Sequence, residues 1–259
     1  MTAHLVTQGI VLRETETKEA DKILTVFTRD AGKISVIARG ARRKSCRFAA
    51  CAQLLAYSEL TLYQRKDWYY LDEGSTVMLF EGLRRDLDRL ALGSYFAELT
   101  DAVTGEEQAA PELLSLLLNA LYALDRLGKP PLLVKGAFEL RLMALAGYEP
   151  LADGCAYCGQ GEPEEAMLDI RQGVLHCKAC GERGRGLSLP VPPPVLAAMR
   201  HALYGDPKRL YAFTLPEGAL EQFAQVAEAF TAAQLERGFR TLDFFKSLQP
   251  VKETANGNF

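Results

Sequence analysis

Over residues 1–80 apolar and polar positions alternate in short runs, the two-residue period of strands that bury one face. Residues 5–13 form a first extended segment anchored by Val6, Ile10 and Leu12. Residues 23–28 and 33–38 flank Arg29-Asp30-Ala31-Gly32, and β-branched residues around a short turn ending in glycine predict a hairpin. The charged stretch 15–21 reads as a turn and 56–63 as a fourth strand. A fifth begins at 68–71 and runs on over 75–79 after a break at Gly74. Five short antiparallel strands predict a small closed barrel, for which an OB-fold is the best-known case and an SH3-like barrel the nearest competitor.

From Gly82 the period lengthens. Leu83, Leu87 and Leu90, then Phe96 and Leu99, recur at helical spacing. Residues 111–127 and 131–146 predict two more helices; Pro131 suits a first turn and Gly147 a stop. After Pro192-Pro193-Pro194 a helix runs through Tyr204. A turn with a short helix follows at 205–211, then helices at 217–234 and 239–248, and a frayed tail at 251–259. The leucine and phenylalanine stripes are core positions. The expected class is α+β, with an N-terminal five-stranded OB-fold barrel (1–80) and a helical domain (81–259) interrupted at about 151–187.

The interruption carries four cysteines in two C-x-x-C pairs, Cys155/Cys158 and Cys177/Cys180, with eighteen residues between the pairs. That spacing suits a four-thiolate structural Zn2+ site, which leaves no position open for water or substrate. Gly159 and Gly181 follow the pairs and let the backbone curl toward the sulfurs. Two disulfides or four idle thiols are the alternatives, and His176 can in principle replace a cysteine. Cys46 and Cys51 read as reduced thiols of a cytoplasmic protein. No signal peptide is expected, because residues 1–8 lack a basic start and an apolar run. No membrane span is expected either, since 113–124 is short and contains Ser115 and Asn119.

The net charge of −3 excludes a uniformly basic nucleic-acid binder, but the distribution is uneven. Residues 1–80 hold 12 Lys/Arg against 9 Asp/Glu, and the remainder 18 against 24. Residues 31–58 contain Lys33, Arg39, Arg42, Arg43, Lys44 and Arg47 and no acid, which predicts one basic face. These cations, with Arg65 and Lys66, are candidates for phosphate contact. Trp68 and Tyr69, with Tyr57, Tyr63 and Tyr70, are candidates for stacking on bases, as in single-strand-binding OB-folds. Tyr57 and Tyr63 facing the core, and Trp68 plugging it, are the alternatives. Arg171, Lys178, Arg183 and Arg185 surround the expected metal, balancing its thiolate charge or touching phosphate. His4, His176 and His201 form no metalloprotease motif, no P-loop is present, and no enzyme is expected. An RNA-binding or translation-related OB protein, a zinc enzyme and a pure interaction scaffold remain alternatives.

Several blocks carry a resemblance. Gly9-Ile10-Val11-Leu12-Arg13, Glu19 through Thr28, Gly32-Lys33-Ile34 and Ala38 through Ser45 resemble the RecO family of bacterial recombination mediators. So do Gly147-Tyr148-Glu149-Pro150, the cysteine pairs, and Arg240-Thr241-Leu242-Asp243-Phe244-Phe245. The resemblance runs along nearly the whole chain. It implies an OB-fold and a helical domain with a zinc-binding insertion. It implies binding to single- and double-stranded DNA, annealing of complementary strands, and DNA repair and recombination without enzymatic activity. It implies a partnership with RecR and with the acidic C-terminal tail of single-strand-binding protein, helping to load RecA, in the cytoplasm and at the nucleoid. The family's basic loop corresponds to Arg39, Arg42, Arg43 and Lys44; Cys46 departs from the basic or polar residue expected there.

Overall fold

A computed structural model describes residues 4–17, 20–181 and 187–249. The expected tail at 251–259 and the glycine-rich exit with Arg183 and Arg185 lie outside the described residues.

The first five strands are β1 (His4–Glu16), β2 (Lys22–Thr28), β3 (Gly32–Ala38), β4 (Tyr57–Arg65) and β5 (Trp68–Met78), closed in the order β1-β2-β3-β5-β4. Four of the pairings are antiparallel. The fifth, β3 with β5, is parallel (Val36↔Tyr69, Ile37↔Tyr70), which corrects the all-antiparallel expectation. The chain between β3 and β4 crosses the barrel so that β4 pairs with β1, and β5 returns alongside β3. Alternating side chains fill the interior with Val11, Leu24, Val26, Ile34, Val36, Leu60, Leu62 and Leu71.

Two local expectations change. β1 continues to Glu16, opposite Lys22, because the cross-strand ion pair Lys22 Nζ–Glu14 Oε2 (2.8 Å) holds what had read as a charged turn. β5 does not break at Gly74, which pairs with Leu60. A Cβ there would lie 3.0 Å from Cys51 Sγ, so the glycine marks close packing. The irregularities are bulges on either side of it, at Asp72, where Thr61↔Glu73 gives way to Leu62↔Leu71, and at Val77, where Tyr57↔Met78 gives way to Ser58↔Thr76.

The helices are α1 (Glu81–Arg84), α2 (Leu87–Val103), α3 (Pro111–Asp125), α4 (Pro131–Leu145), α5 (Lys178–Gly181), α6 (Pro193–Tyr204), α7 (Glu217–Leu235) and α8 (Arg240–Leu248), with a 3-10 turn at Pro207–Arg209. The stripe beginning at Leu83 is two helices, because Asp86 caps α2 by accepting from Arg89 N (3.1 Å). A second sheet, ordered β7-β6-β8, comprises β6 (Ala166–Asp169), β7 (Val174–Cys177) and β8 (Ser188–Pro190). No helix among the described residues is long and apolar enough to cross a membrane.

The helical core is centred on α4, which is buried along nearly its whole length. Gly136 lets α7 approach it, since a Cβ there would meet Phe223 Cε1 at 2.6 Å. Ile10, Leu12 and Phe27 at one end of the barrel belong to this helical core, so barrel and helices share a packed boundary. Gly32 lies at that boundary with φ +65°, and a Cβ on it would sit 2.2 Å from the Gln108 carbonyl oxygen.

Candidate nucleic-acid interface and metal centre

The loop after β3 is a run of turns fixed from below. Gly40 (φ +66°) donates its N–H to Asp21 Oδ1 (2.6 Å), Arg42 N–H donates to the Ala20 carbonyl (3.0 Å), and Arg43 N–H to the Gly40 carbonyl (2.9 Å). The glycine is required by its left-handed turn. Arg39, Arg43 and Lys44 are exposed, and none has an acidic partner among the described residues.

The acid-free run of sequence is not acid-free in space. Lys33 is buried, its Nζ bonded to the Asp101 carbonyl (2.8 Å) and paired with Asp101 Oδ1 (3.0 Å) and Glu106 Oε1 (3.6 Å). It fastens the barrel to α2 and is absent from the outer basic face. Arg42 pairs with Glu16 (3.1 Å) and donates to the Thr17 carbonyl (3.2 Å). Arg47 reaches Asp72 (3.6 Å) and Glu73 (3.8 Å) beside the first β5 bulge. Arg65 and Lys66 are exposed in the β4–β5 hairpin, with Lys66 at φ 56°.

The aromatics divide. Register across four strands sets His4, Tyr63, Tyr70 and Ile37 in one row, His4↔Tyr63↔Tyr70↔Ile37. Their neighbours Leu62, Leu71, Val36 and Ala38 point into the barrel, so the row lies on the outside. Tyr63 stacks on Tyr70 (centroids 5.1 Å, 12° between planes), and the Arg39 guanidinium lies 4.7 Å from the Tyr70 centroid. Arg39, Gly40, Arg43, Ile37, Tyr70 and Asp21 line an open cleft of about 720 Å³. Trp68 is 41% exposed, not a core plug, and shares a separate cleft with Tyr69, Asp67, Glu106 and Glu107. Tyr69 is partly packed on the barrel core, and Tyr57 donates to Gln8 Oε1 (2.9 Å). The expected set thus separates into Arg39 and Arg43 beside Tyr70 and its partner Tyr63, with Lys44 exposed in the same loop, and a Trp68–Tyr69 pair in an acidic setting. The Tyr63–Tyr70 ladder was detectable in sequence only through strand register.

The four cysteine sulfurs lie within 4.8 Å of one another and can hold a metal ion. Metal–sulfur bonds of about 2.3 Å at tetrahedral angles require sulfurs about 3.8 Å apart. Cys155–Cys177 and Cys158–Cys177 are 3.8 and 3.9 Å apart. Burial pushes the Cys155 thiol up, but N–H groups of Cys177, Cys158 and Tyr157 aimed at its sulfur bring it down to about 6, favouring a thiolate. The first pair lies on a loop, Cys177 ends β7, and Cys180 is in α5. His176 is no ligand, as its ring nitrogens lie 3.1 Å from the Cys177 carbonyl and 3.0 Å from Ser188 Oγ. Lys178 pairs with Glu165 (2.6 Å). Arg200 of α6 clamps the first loop, donating to the carbonyls of Ala152 (2.8 Å), Asp153 (3.0 Å) and Gly161 (2.6 Å).

Two further polar features had no sequence signal. Inside the helical core Lys135 pairs with Glu139 (2.9 Å) and Glu228 (2.9 Å), and Tyr95 donates to Glu139 (2.7 Å). Burial raises the Glu139 carboxyl despite the Lys135 ammonium. Elsewhere Arg141 borders an apolar cleft of about 420 Å³ with Leu116, Leu145 and Leu210. Its Nη2 donates to the Gly205 carbonyl (2.6 Å), while its buried Nε has no hydrogen-bond partner.

Comparison with known families matches residues 1–80 to the N-terminal and residues 84–243 to the C-terminal model of recombination protein O. The chain is 33% identical over 249 residues to the DNA repair protein RecO of Acetivibrio thermocellus, covering 96% of this chain and 99% of that one. It is 31% identical over 248 residues to the RecO of Symbiobacterium thermophilum (94% and 97%). It is 30% identical over 244 residues to that of Caldanaerobacter subterraneus subsp. tengcongensis (94% and 98%).

Proposed function

The chain belongs to the RecO family of DNA repair proteins, and from that premise we propose a non-enzymatic recombination mediator. It anneals complementary strands and helps load the RecA recombinase, together with RecR, onto single-stranded DNA covered by single-strand-binding protein. The observation that carries this reading is the outer barrel surface, where Arg39 and Arg43, without an acidic partner among the described residues, adjoin Tyr70 of the Tyr63–Tyr70 ladder and Lys44 follows in the same exposed loop. Cations without acid partners release counterions from any phosphate backbone, and aromatic faces accept any unpaired base, so the grip is tolerant of sequence. Annealing follows from neutralising two strands on one surface. In this reading Lys33 serves the boundary instead, and Arg42 and Arg47 contribute little because carboxylates already neutralise them.

The barrel, residues 1–80, is the DNA-binding domain, and residues 81–259 form the partner-binding helical domain. Cys155, Cys158, Cys177 and Cys180 hold Zn2+, which braces the insertion and takes no part in chemistry, since four thiolates complete its coordination. The acidic tail of single-strand-binding protein suits the cleft bordered by Arg141, where the guanidinium supplies a cation beside Leu116, Leu145 and Leu210, with Glu112 on the same lining. The protein works in the cytoplasm at the nucleoid. The deciding experiment is annealing of complementary oligonucleotides, naked and coated with single-strand-binding protein, at several salt concentrations. Annealing that falls steeply with salt is expected; no acceleration over the spontaneous rate at low salt refutes the proposal.

A further inference from the structure

We infer that Arg39 and Tyr70 form a gate that admits an unpaired base and not a paired one. The inference rests on the nucleic-acid reading above and deepens it. Tyr70 is covered from two sides. β5 lies between β4 and β3, so Tyr63 covers it from one flank and Arg39 from the other. The two covers differ in kind. Tyr63 lies directly opposite Tyr70 in the regular antiparallel stretch from Leu62↔Leu71 to Arg65↔Trp68 and is fixed there. Arg39 stands one residue beyond β3, is exposed, and has no carboxylate partner among the described residues. An exposed cation–aromatic contact is weak, whereas stacking of a base on an aromatic ring is stronger. The cleft beside Tyr70 is open, and Arg43 lines it together with Asp21, whose Oδ1 already accepts from the Gly40 N–H.

An unpaired base therefore replaces the Arg39 guanidinium on Tyr70. The displaced guanidinium turns to the phosphate of the same nucleotide, next to Arg43. A base inside a duplex is stacked on its neighbours and cannot make this exchange without unstacking. Duplex DNA is then held through phosphates alone, with Arg39 still on Tyr70. Tyr70 thus sets the preference between single strand and duplex, while Arg43 and Lys44 serve both. The gate also suits annealing, because a base that pairs leaves the ring and the strand is let go.

The test measures binding of the full-length protein to a fluorescent oligo-dT and to a matched duplex at fixed salt. Tyr70→Leu is expected to weaken oligo-dT binding about tenfold with an unchanged salt slope and to leave duplex binding within about twofold. Tyr70→Phe should behave as the parent. Equal losses on both DNAs, or no loss on oligo-dT, overturn the gate while leaving the nucleic-acid reading intact. Failure of the parent protein to bind either DNA overturns both. A second measurement needs no variant. The Arg39 Nε–H resonance, ring-shifted by Tyr70 in the free protein, should move on adding oligo-dT and stay on adding duplex; the same response to both DNAs also refutes the gate.

Discussion

The salt dependence of DNA binding gives the sharpest test of which cations matter. The perturbation is the triple substitution Arg39→Ala, Arg43→Ala and Lys44→Ala, compared with the pair Arg42→Ala and Arg47→Ala. The two sets are neighbours in sequence and differ in space. Members of the first have no carboxylate partner among the described residues, whereas Arg42 pairs with Glu16 and Arg47 with Asp72 and Glu73. Each phosphate neutralised on a single strand contributes about −0.7 to the slope of log affinity against log salt. Losing three contacts should therefore flatten the slope by about 2, so the advantage of the parent protein shrinks about twentyfold between 50 and 200 mM salt. The pair should leave the slope nearly unchanged, because those cations release few counterions. Fluorescence anisotropy with an oligo-dT across that range measures both, with circular dichroism to establish folding. A folded triple variant that keeps the parental slope, or a pair that flattens it as much, refutes the assignment of the basic face.

Other outcomes follow from the same geometry. Replacing Cys155 and Cys158 with serine should abolish metal by elemental analysis and lower Tm by roughly 10 °C, as a structural ion is coupled to folding. Arg200→Ala should leave all four sulfurs in place yet speed metal loss to a chelator about tenfold, since the loop carbonyls of Ala152, Asp153 and Gly161 lose their clamp. Lys135→Met should cost about 3–5 kcal/mol in denaturant unfolding by stranding Glu139 and Glu228, and adding Glu139→Leu should restore part of it. For Glu228, burial pushes the carboxyl up but Lys135 and Lys246 more than offset it, leaving it below its ordinary value of 4.5. A depressed folded pKa contributes stability above the unfolded value and loses it as pH falls through the folded one. The stability difference between the parent and Glu228→Gln, followed by urea unfolding, should be full at pH 6 and fade below about pH 4.5.

What the sequence discloses depends on how local each cause is. Cysteine spacing, the Gly32 hairpin and the helical stripes are short-range patterns, and they describe the barrel strands, most helices and the thiolate cluster. Partners distant in sequence are another matter. Nothing around Lys33 announces Asp101 and Glu106, and nothing around Arg42 announces that Glu16 lies on a longer strand than its charge suggests. The parallel β3–β5 pair and the Tyr63–Tyr70 ladder require topology and register, which alternation alone leaves open. Lys135 and Glu139 have the spacing of an ordinary surface ion pair, and only the packing of α7 over α4 takes them out of water.

The contact of Gly32 with Gln108 has a mechanical consequence. With Lys33 bolted to Asp101 a residue away, the hairpin has no slack against the segment that follows α2. On the proposed function, a strand lying along the outer tyrosines would be carried at a set distance from a partner held by the helices, as cargo on the arm of a jig. Adding a single methyl at position 32 would act as a wedge in that joint and tilt the arm, leaving each tool at its ends undamaged.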